Sequence, residues 1–208
     1  MPASPSEGRP DARPGNTPQP LELVRRWYEE AVAAGLFEPD AMALATASPD
    51  GMPSVRIVLL KGIDTRGLQF FTNYGSRKGR ELDANPRAAV TIHWATMHRA
   101  VRAEGAVERL SEEESDAYFA SRGRESRLGA WASRQGTPIP DRATLEAAFA
   151  DADARYRGED VPRPEYWGGY RLVPDAVELW QGRPNRLHDR EHFLRSGDGS
   201  WRSERLSP

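Results

Sequence analysis

The sequence has no cysteine. Disulfides, thiolate catalysis and cysteine-ligated metal are therefore excluded. It has almost no lysine either: Lys61 and Lys78 stand against 27 arginines. No apolar run approaches the roughly 20 residues of a membrane span. No hydrophobic segment of a secretory signal opens the chain. A soluble, cytoplasmic protein with no membrane partner is expected. Net charge is only −2 at pH 7 and the isoelectric point is near 6.1. That balance supplies no global basic field for nucleic acid, so an anion site must come from local clustering. The four histidines, His93, His98, His188 and His192, form no metal-binding spacing, and no metal is expected. Nucleophile elbow, dinucleotide fingerprint and P-loop are all missing. A chain with phosphate-type clusters but no such machinery borrows its chemistry from a cofactor.

What is present suits one domain of 208 residues with a tail. Pro, Ser, Gly and charge dominate residues 1–19, which reads as a disordered tail; 20–208 reads as a single domain. A helix is predicted from Leu21 to Gly35, with Leu21, Leu23, Val24, Trp27, Ala31 and Val32 near one face. A three-strand meander follows: Ala41–Ala47, a strand from Ser54, and Leu68–Thr72, with turns at Ser48–Gly51 and Gly62–Gly67. Ser76 caps a helix. Two strands, Ala88–Trp94 and Ala100–Leu110, come next. Ser111 and Glu114 form a capping box for a helix to Ser121. Further helices are read at Ser126–Arg134 and Asp141–Tyr156. Pro162, Pro164 and Gly168-Gly169 mark an irregular segment. Strands at Tyr170–Val173, Val177–Gln181, Arg190–Leu194 and Trp201–Leu206 close the chain. The fold class is mainly β with helices, a β-barrel with helical additions.

Three clusters bear on chemistry. Both lysines fall within the stretch Arg56–Glu81, and Arg77 and Lys78 occupy the first turn of the Ser76 helix. Cations there oppose the helix dipole. A bound phosphate reverses the sign, since free N–H groups, dipole and both cations then converge on one anion; a solvated helix end is the alternative. The second cluster is Arg186, His188 and Arg190, which share one face if the segment is extended. Their positive charges face either water or a ligand, with Trp180 beside them or in the core. Tyr118, Arg122 and Ser126 make the third. A phenol, a guanidinium and a hydroxyl suit a phosphate, or form a solvated helix end. Gln135-Gly136 adds possible amide donors.

Several motifs together resemble one family, the pyridoxamine 5′-phosphate oxidases. They are Arg56–Lys61, Phe71-Thr72-Asn73, Gly75-Ser76-Arg77-Lys78, Asn85-Pro86-Arg87, Ser126–Trp131, Tyr166–Arg171, Trp180-Gln181-Gly182 and Arg186–Arg190. The resemblance implies an FMN-binding split β-barrel and a homodimer with FMN at the interface. It implies oxidation of pyridoxamine or pyridoxine 5′-phosphate to pyridoxal 5′-phosphate, with O2 reduced to H2O2. It assigns FMN contacts to Arg56, Ile57, Val58, Leu59, Leu60, Lys61, Phe71, Thr72, Arg77, Lys78, Gln135, Trp180 and Arg190. Lys61, Tyr118, Arg122 and Ser126 take the substrate phosphate, and Arg186 and His188 take the substrate ring as catalytic residues. Ala100 and Gly136 stand where the family usually has a glutamine and a serine that hold the flavin. Arg56 and Lys61 differ by an odd number, so a regular strand points them to opposite faces. Two alternatives remain: a related flavin oxidase acting on another ring in secondary metabolism, and a non-catalytic flavin- or pyridoxal-phosphate-binding protein.

Overall fold

The computed structural model describes residues 19–208. The expected tail therefore lies outside the described residues, apart from Gln19. Helix α1 (Pro20–Ala33) starts with proline at its first position, where the missing N–H costs nothing. It buries Leu21, Val24 and Ala31, while Val32 is about half exposed. Gly35 then turns the chain at φ 68°.

Nine strands follow: β1 (Ala41–Ala47), β2 (Pro53–Leu59), β3 (Gly62–Ile63), β4 (Leu68–Asn73), β5 (Arg87–Trp94), β6 (Arg99–Arg109), β7 (Trp167–Gln181), β8 (Asp189–Arg195) and β9 (Trp201–Arg205). Their order is β2-β1-β5-β6-β7-β4-β3, with β8 on β7 and β9 on β8. The two ends of that path, β2 and β3, are separated in sequence only by Leu60 and Lys61. Three Cα steps of about 3.8 Å join them, so the sheet must curl until its edges meet. The inner face carries the core: Met42 and Leu44 from β1, Val90 and Ile92 from β5, Val101 and Ala103 from β6, Leu172 from β7 and Phe70 from β4. Alternation along β1 and β5 places these side chains inward with period two.

Helices α2 (Arg77–Ala84), α3 (Glu112–Ser121), α4 (Arg124–Ala132) and α5 (Arg142–Arg155) lie between strands. Ser76 caps α2, accepting from the Gly79 N–H. The Ser111–Glu114 capping box of α3 is fully formed. Asp141 caps α5.

Four expectations need correction. The first three strands are not a meander. Strand β2 pairs with β1, but β4 pairs with β3 and β7. Part of the expected Gly62–Gly67 turn is strand, because Gly62 and Ile63 pair with Gln69 and Leu68. The expected irregular segment is irregular at Pro162 and Pro164, but its Gly168-Gly169 end and the two strands after it belong to one 15-residue strand, β7. Gly168 and Gly169 are strand residues because neighbours fill the Cβ positions: the Tyr74 hydroxyl would lie 2.0 Å from a Cβ at 168, and Leu110 Cδ1 2.4 Å from one at 169. Pro174 sits beside a register shift between Glu104 and Gly105, where an irregular ladder tolerates a missing donor. Finally, the chain from Arg186 to Arg190 is not one extended run. Pro184–Arg186 form a short 3-10 turn, with Asn185 and Arg186 at φ 59° and 62°, and β8 begins only at Asp189. Arg186, His188 and Arg190 therefore do not share a strand face.

Arg171 is the largest fully buried side chain, 1% exposed. It reaches Asp64, Glu108 and Glu114 at 3.1, 2.9 and 2.8 Å. It thereby ties the β3–β4 turn, the end of β6 and the start of α3 to β7.

Candidate active site

One cavity of about 610 Å³ gathers most of the residues singled out in the sequence. Ile57, Val58, Leu59 and Lys61 form its β2 edge, Phe71 and Thr72 come from β4, and Lys78 from α2. Tyr118, Arg122, Ser126 and Gln135 complete the lining. Ile57 and Leu59 on β2, and Lys61 just beyond it, are exposed, whereas Arg56 is half-buried and Leu60 buried, as the odd spacing of Arg56 and Lys61 requires. Leu60 is a core residue.

Lys78 is the centre of the cavity's α2 side. Its Nζ donates to Gln135 Oε1 at 2.8 Å, Thr72 Oγ1 at 3.1 Å and Ser76 Oγ at 3.3 Å. No carboxylate pairs with it among the described residues. Burial, reinforced by the nearby Arg56 charge, lowers its pKa to about 8. Arg77 is different: its Nε donates to Glu81 Oε1 at 2.7 Å, and its side chain is 60% exposed. Arg56 is absorbed into the fold. Its guanidinium donates to the Leu44 carbonyl, Thr46 Oγ1, Ser54 Oγ and Glu81, and it does not line the cavity.

On the other wall, Phe71 and Tyr118 stack at 3.8 Å and 18°. Trp167 continues the stack, 5.6 Å from Phe71. The Arg122 guanidinium lies 4.7 Å over the Trp167 ring, and its buried Nη1 has no hydrogen-bond partner. Burial lowers the pKa of Arg122 below its ordinary value. The expected helix face shared by Tyr118 and Arg122 is not formed, because α3 ends at Ser121 and Arg122 is extended. The cavity nevertheless brings them together with Ser126, in the first turn of α4. Lys61 sits at the rim, its Nζ donating to Asp40 Oδ2 at 2.6 Å.

Trp180, Arg186, His188 and Arg190 are not in this cavity. They cluster at the far end of β7. Phe71 opposes Gly169, whereas Trp180 opposes Arg190, eleven residues further along the strand. At about 3.3 Å per residue, an uncurled strand would separate the two groups by roughly 35 Å. His188 lies 4.7 Å from the Trp180 ring. The Arg183 N–H donates to His188 Nδ1 at 3.1 Å. In the neutral imidazole the proton therefore resides on Nε2, a free donor. Arg190 is bidentate to Glu178, at 2.8 and 3.1 Å, and its Nη1 reaches the Ser207 carbonyl at 2.8 Å. Arg186 is exposed and makes no ion pair among the described residues.

Sequence reading missed three participants. Trp167 was quoted within a motif but given no role, and only the stack shows it under Arg122. Glu81 and Asp40 carried no signal; each matters through a partner distant in sequence.

A curled barrel with a cation-lined cavity beside the β2 edge defines the class: a split β-barrel with a ligand cavity. Residues 28–156 match the family model described as pyridoxamine 5′-phosphate oxidase, and 167–208 match the pyridoxine 5′-phosphate oxidase C-terminal dimerisation region. The chain belongs to the pyridoxamine 5′-phosphate oxidase family. A pyridoxine/pyridoxamine 5′-phosphate oxidase of Rubrobacter xylanophilus is 57% identical over 197 residues, covering 95% of this chain and 90% of the relative. One from Ralstonia pickettii is 57% identical over 189 residues, covering 91% and 89%. Among solved structures, PhzG from Burkholderia lata, in complex with tetrahydrophenazine-1-carboxylic acid, superposes with a TM-score of 0.87 at 36% identity, covering 91% of this chain and 93% of that one. A pyridoxamine 5′-phosphate oxidase-related, FMN-binding protein of Nostoc punctiforme gives 0.74 at 19% identity, covering 92% and 100%, a likeness of fold.

The cofactor is FMN. The residues present fit it: a buried ammonium without a counter-carboxylate, hydroxyl and amide groups around it, and an aromatic wall beside it.

Proposed function

We propose that this protein oxidises pyridoxamine 5′-phosphate or pyridoxine 5′-phosphate to pyridoxal 5′-phosphate. The amine reaction consumes O2 and water and releases ammonia and H2O2; the alcohol reaction consumes O2 and releases H2O2. One observation carries the reading. Lys78 and Arg122 line one cavity, both buried at their charged ends, and neither has a carboxylate partner among the described residues. An isolated buried cation is costly, and two of them on different walls suit two phosphate esters. Lys78, Arg77, Thr72 and Gln135 would hold the phosphate end of FMN, with Ile57–Leu59 and Phe71 along its length. Lys61, Tyr118, Arg122 and Ser126 would hold the substrate phosphate.

Bound FMN supplies the two-electron acceptor for the carbon that becomes the aldehyde. The chain's own task is to anchor both phosphates away from that carbon and so fix its approach. A second copy completes the site. Trp180, Arg186, His188 and Arg190 lie at the opposite end of β7 and within the dimerisation region. Beside the cavity, Val55, Ile57 and Leu59 leave an apolar outer face on β2, 69%, 64% and 39% exposed, which a partner would cover. In the partner's site Arg186 would lie over the pyridine ring and the His188 Nε2–H would donate to the substrate.

The PhzG likeness supports a second reading, oxidation of another ring in secondary metabolism. The phosphate cradle argues against it, since a ring without phosphate has no use for Arg122 and Lys61 together. The test is to add pyridoxamine 5′-phosphate to the flavin-loaded protein while following peroxide and aldehyde. Turnover at least about 100-fold faster than with unphosphorylated pyridoxamine is expected from losing charge-assisted phosphate bonds. Flavin without turnover of the phosphorylated substrate would overturn the reading.

A further inference from the structure

Glu81 is a carboxylate with four donors and only 6% exposure. Thr46 Oγ1, Ser54 Oγ at 2.6 Å, Arg56 Nη2 at 3.2 Å and Arg77 Nε at 2.7 Å all donate to it. It stands one helical turn after Arg77 on α2, on the same face. Two of the three arginines expected to grip FMN, Arg56 and Arg77, thus converge on one buried acid, but in different ways. Arg56 uses both of its terminal nitrogens on Glu81, Ser54, Thr46 and the Leu44 carbonyl, and is spent inside the barrel. Arg77 is held only by its inner nitrogen. Its two terminal nitrogens have no partner among the described residues, and its side chain is 60% exposed. A guanidinium held at Nε is restricted in orientation, and its outer edge is the one suited to a bidentate grip on phosphate.

We propose that Glu81 is a positioning residue for the cofactor. It holds Arg77 by Nε so that the terminal nitrogens are left for the FMN phosphate. This rests on the reading that the phosphate sits at the start of α2, beside Lys78.

The proposal has a sign that simple electrostatics does not share. Glu81→Gln removes a negative charge near a phosphate dianion, which through space strengthens binding. Loss of the clamp weakens it. The experiment measures dissociation constants of FMN and riboflavin for the apoprotein by flavin fluorescence. With Glu81→Gln, FMN affinity is expected to fall about tenfold, the cost of loosening one charge-assisted contact, while riboflavin affinity is unchanged. In an Arg77→Ala background the same substitution should have little further effect. Arg77→Lys, on an exposed side chain, covers the case in which Glu81→Gln does not fold. One ammonium lacks the fork that serves Glu81 and the phosphate at once, so it should lose FMN affinity nearly as Arg77→Ala does. Unchanged or tighter FMN binding in Glu81→Gln, an equal loss for riboflavin, or wild-type FMN affinity in Arg77→Lys would each overturn the proposal. If the wild type binds FMN and riboflavin equally, the phosphate seat itself is wrong, which is a separate failure.

Discussion

The two ends of β7 treat positive charge differently. Around the cavity at its start, Lys78 and the Nη1 of Arg122 are buried without carboxylates, and each side chain has its pKa lowered by burial. At its far end nearly every arginine is paired: Arg190 and Arg102 with Glu178, and Arg183 with Asp189. Arg186 is the exception, exposed on a left-handed backbone. Unpaired buried cations mark where an anion belongs. Paired ones are already neutralised, so their planes serve to brace neighbours or cover rings. The cavity end therefore reads as the anchor, and the Trp180–His188 end as the part that shapes the reacting ring.

The sharpest way to separate the two ends is Arg186→Ala. Turnover should fall by at least about 100-fold through loss of orientation at the reacting ring. Flavin content, read from absorbance, should stay at the wild-type level. Equal loss of flavin would merge the two regions into one anchoring function.

A smaller effect concerns pH at the cavity end. The lowered pKa of Lys78, about 8 against an ordinary 10.5, means that FMN affinity should be level below pH 8. Above it, affinity should weaken by up to about tenfold per pH unit, because the ammonium that meets the phosphate is lost. Without ligand the sign is opposite. Between about 8 and 10.5 the unfolded chain holds a proton that the folded chain has released, so this group makes the fold more stable as pH rises. FMN titrations and thermal unfolding across pH 7 to 10 read both signs. A pH-independent FMN constant would remove Lys78 from the anchor.

The smallest effect is the most direct about assembly. Mixing Arg186→Ala chains with Arg122→Ala chains should restore about a quarter of the wild-type rate, since half of randomly paired dimers carry one intact site of two. No recovery after confirmed subunit exchange would place both ends of β7 in one subunit's site.

Much of the site was legible because its chemistry is local in sequence. Ser76, Arg77 and Lys78 could be read as a capped helix start with the wrong charge. Scarcity made the lysines stand out: Lys61 and Lys78 both line the cavity. Gln135, read as a possible amide donor and assigned to the flavin by the resemblance, accepts from Lys78. What could not be read was pairing between distant residues. Glu81 takes hydrogen bonds from β1, β2 and α2, and nothing near it in sequence announces that. Gly168 and Gly169 were taken as breakers because local propensity knows nothing of the Tyr74 and Leu110 side chains packed against them.

The chain's own order of residues determined its helices, their caps and most of its strands, because those depend on neighbours within a few positions. Only the tertiary structure decided that Arg56 is consumed by Glu81 while Lys78 is left bare, and that Trp180 and Phe71 stand at opposite ends of one strand. Both follow from how the sheet curls, and curling brings together residues whose separation along the chain carries no trace of their meeting.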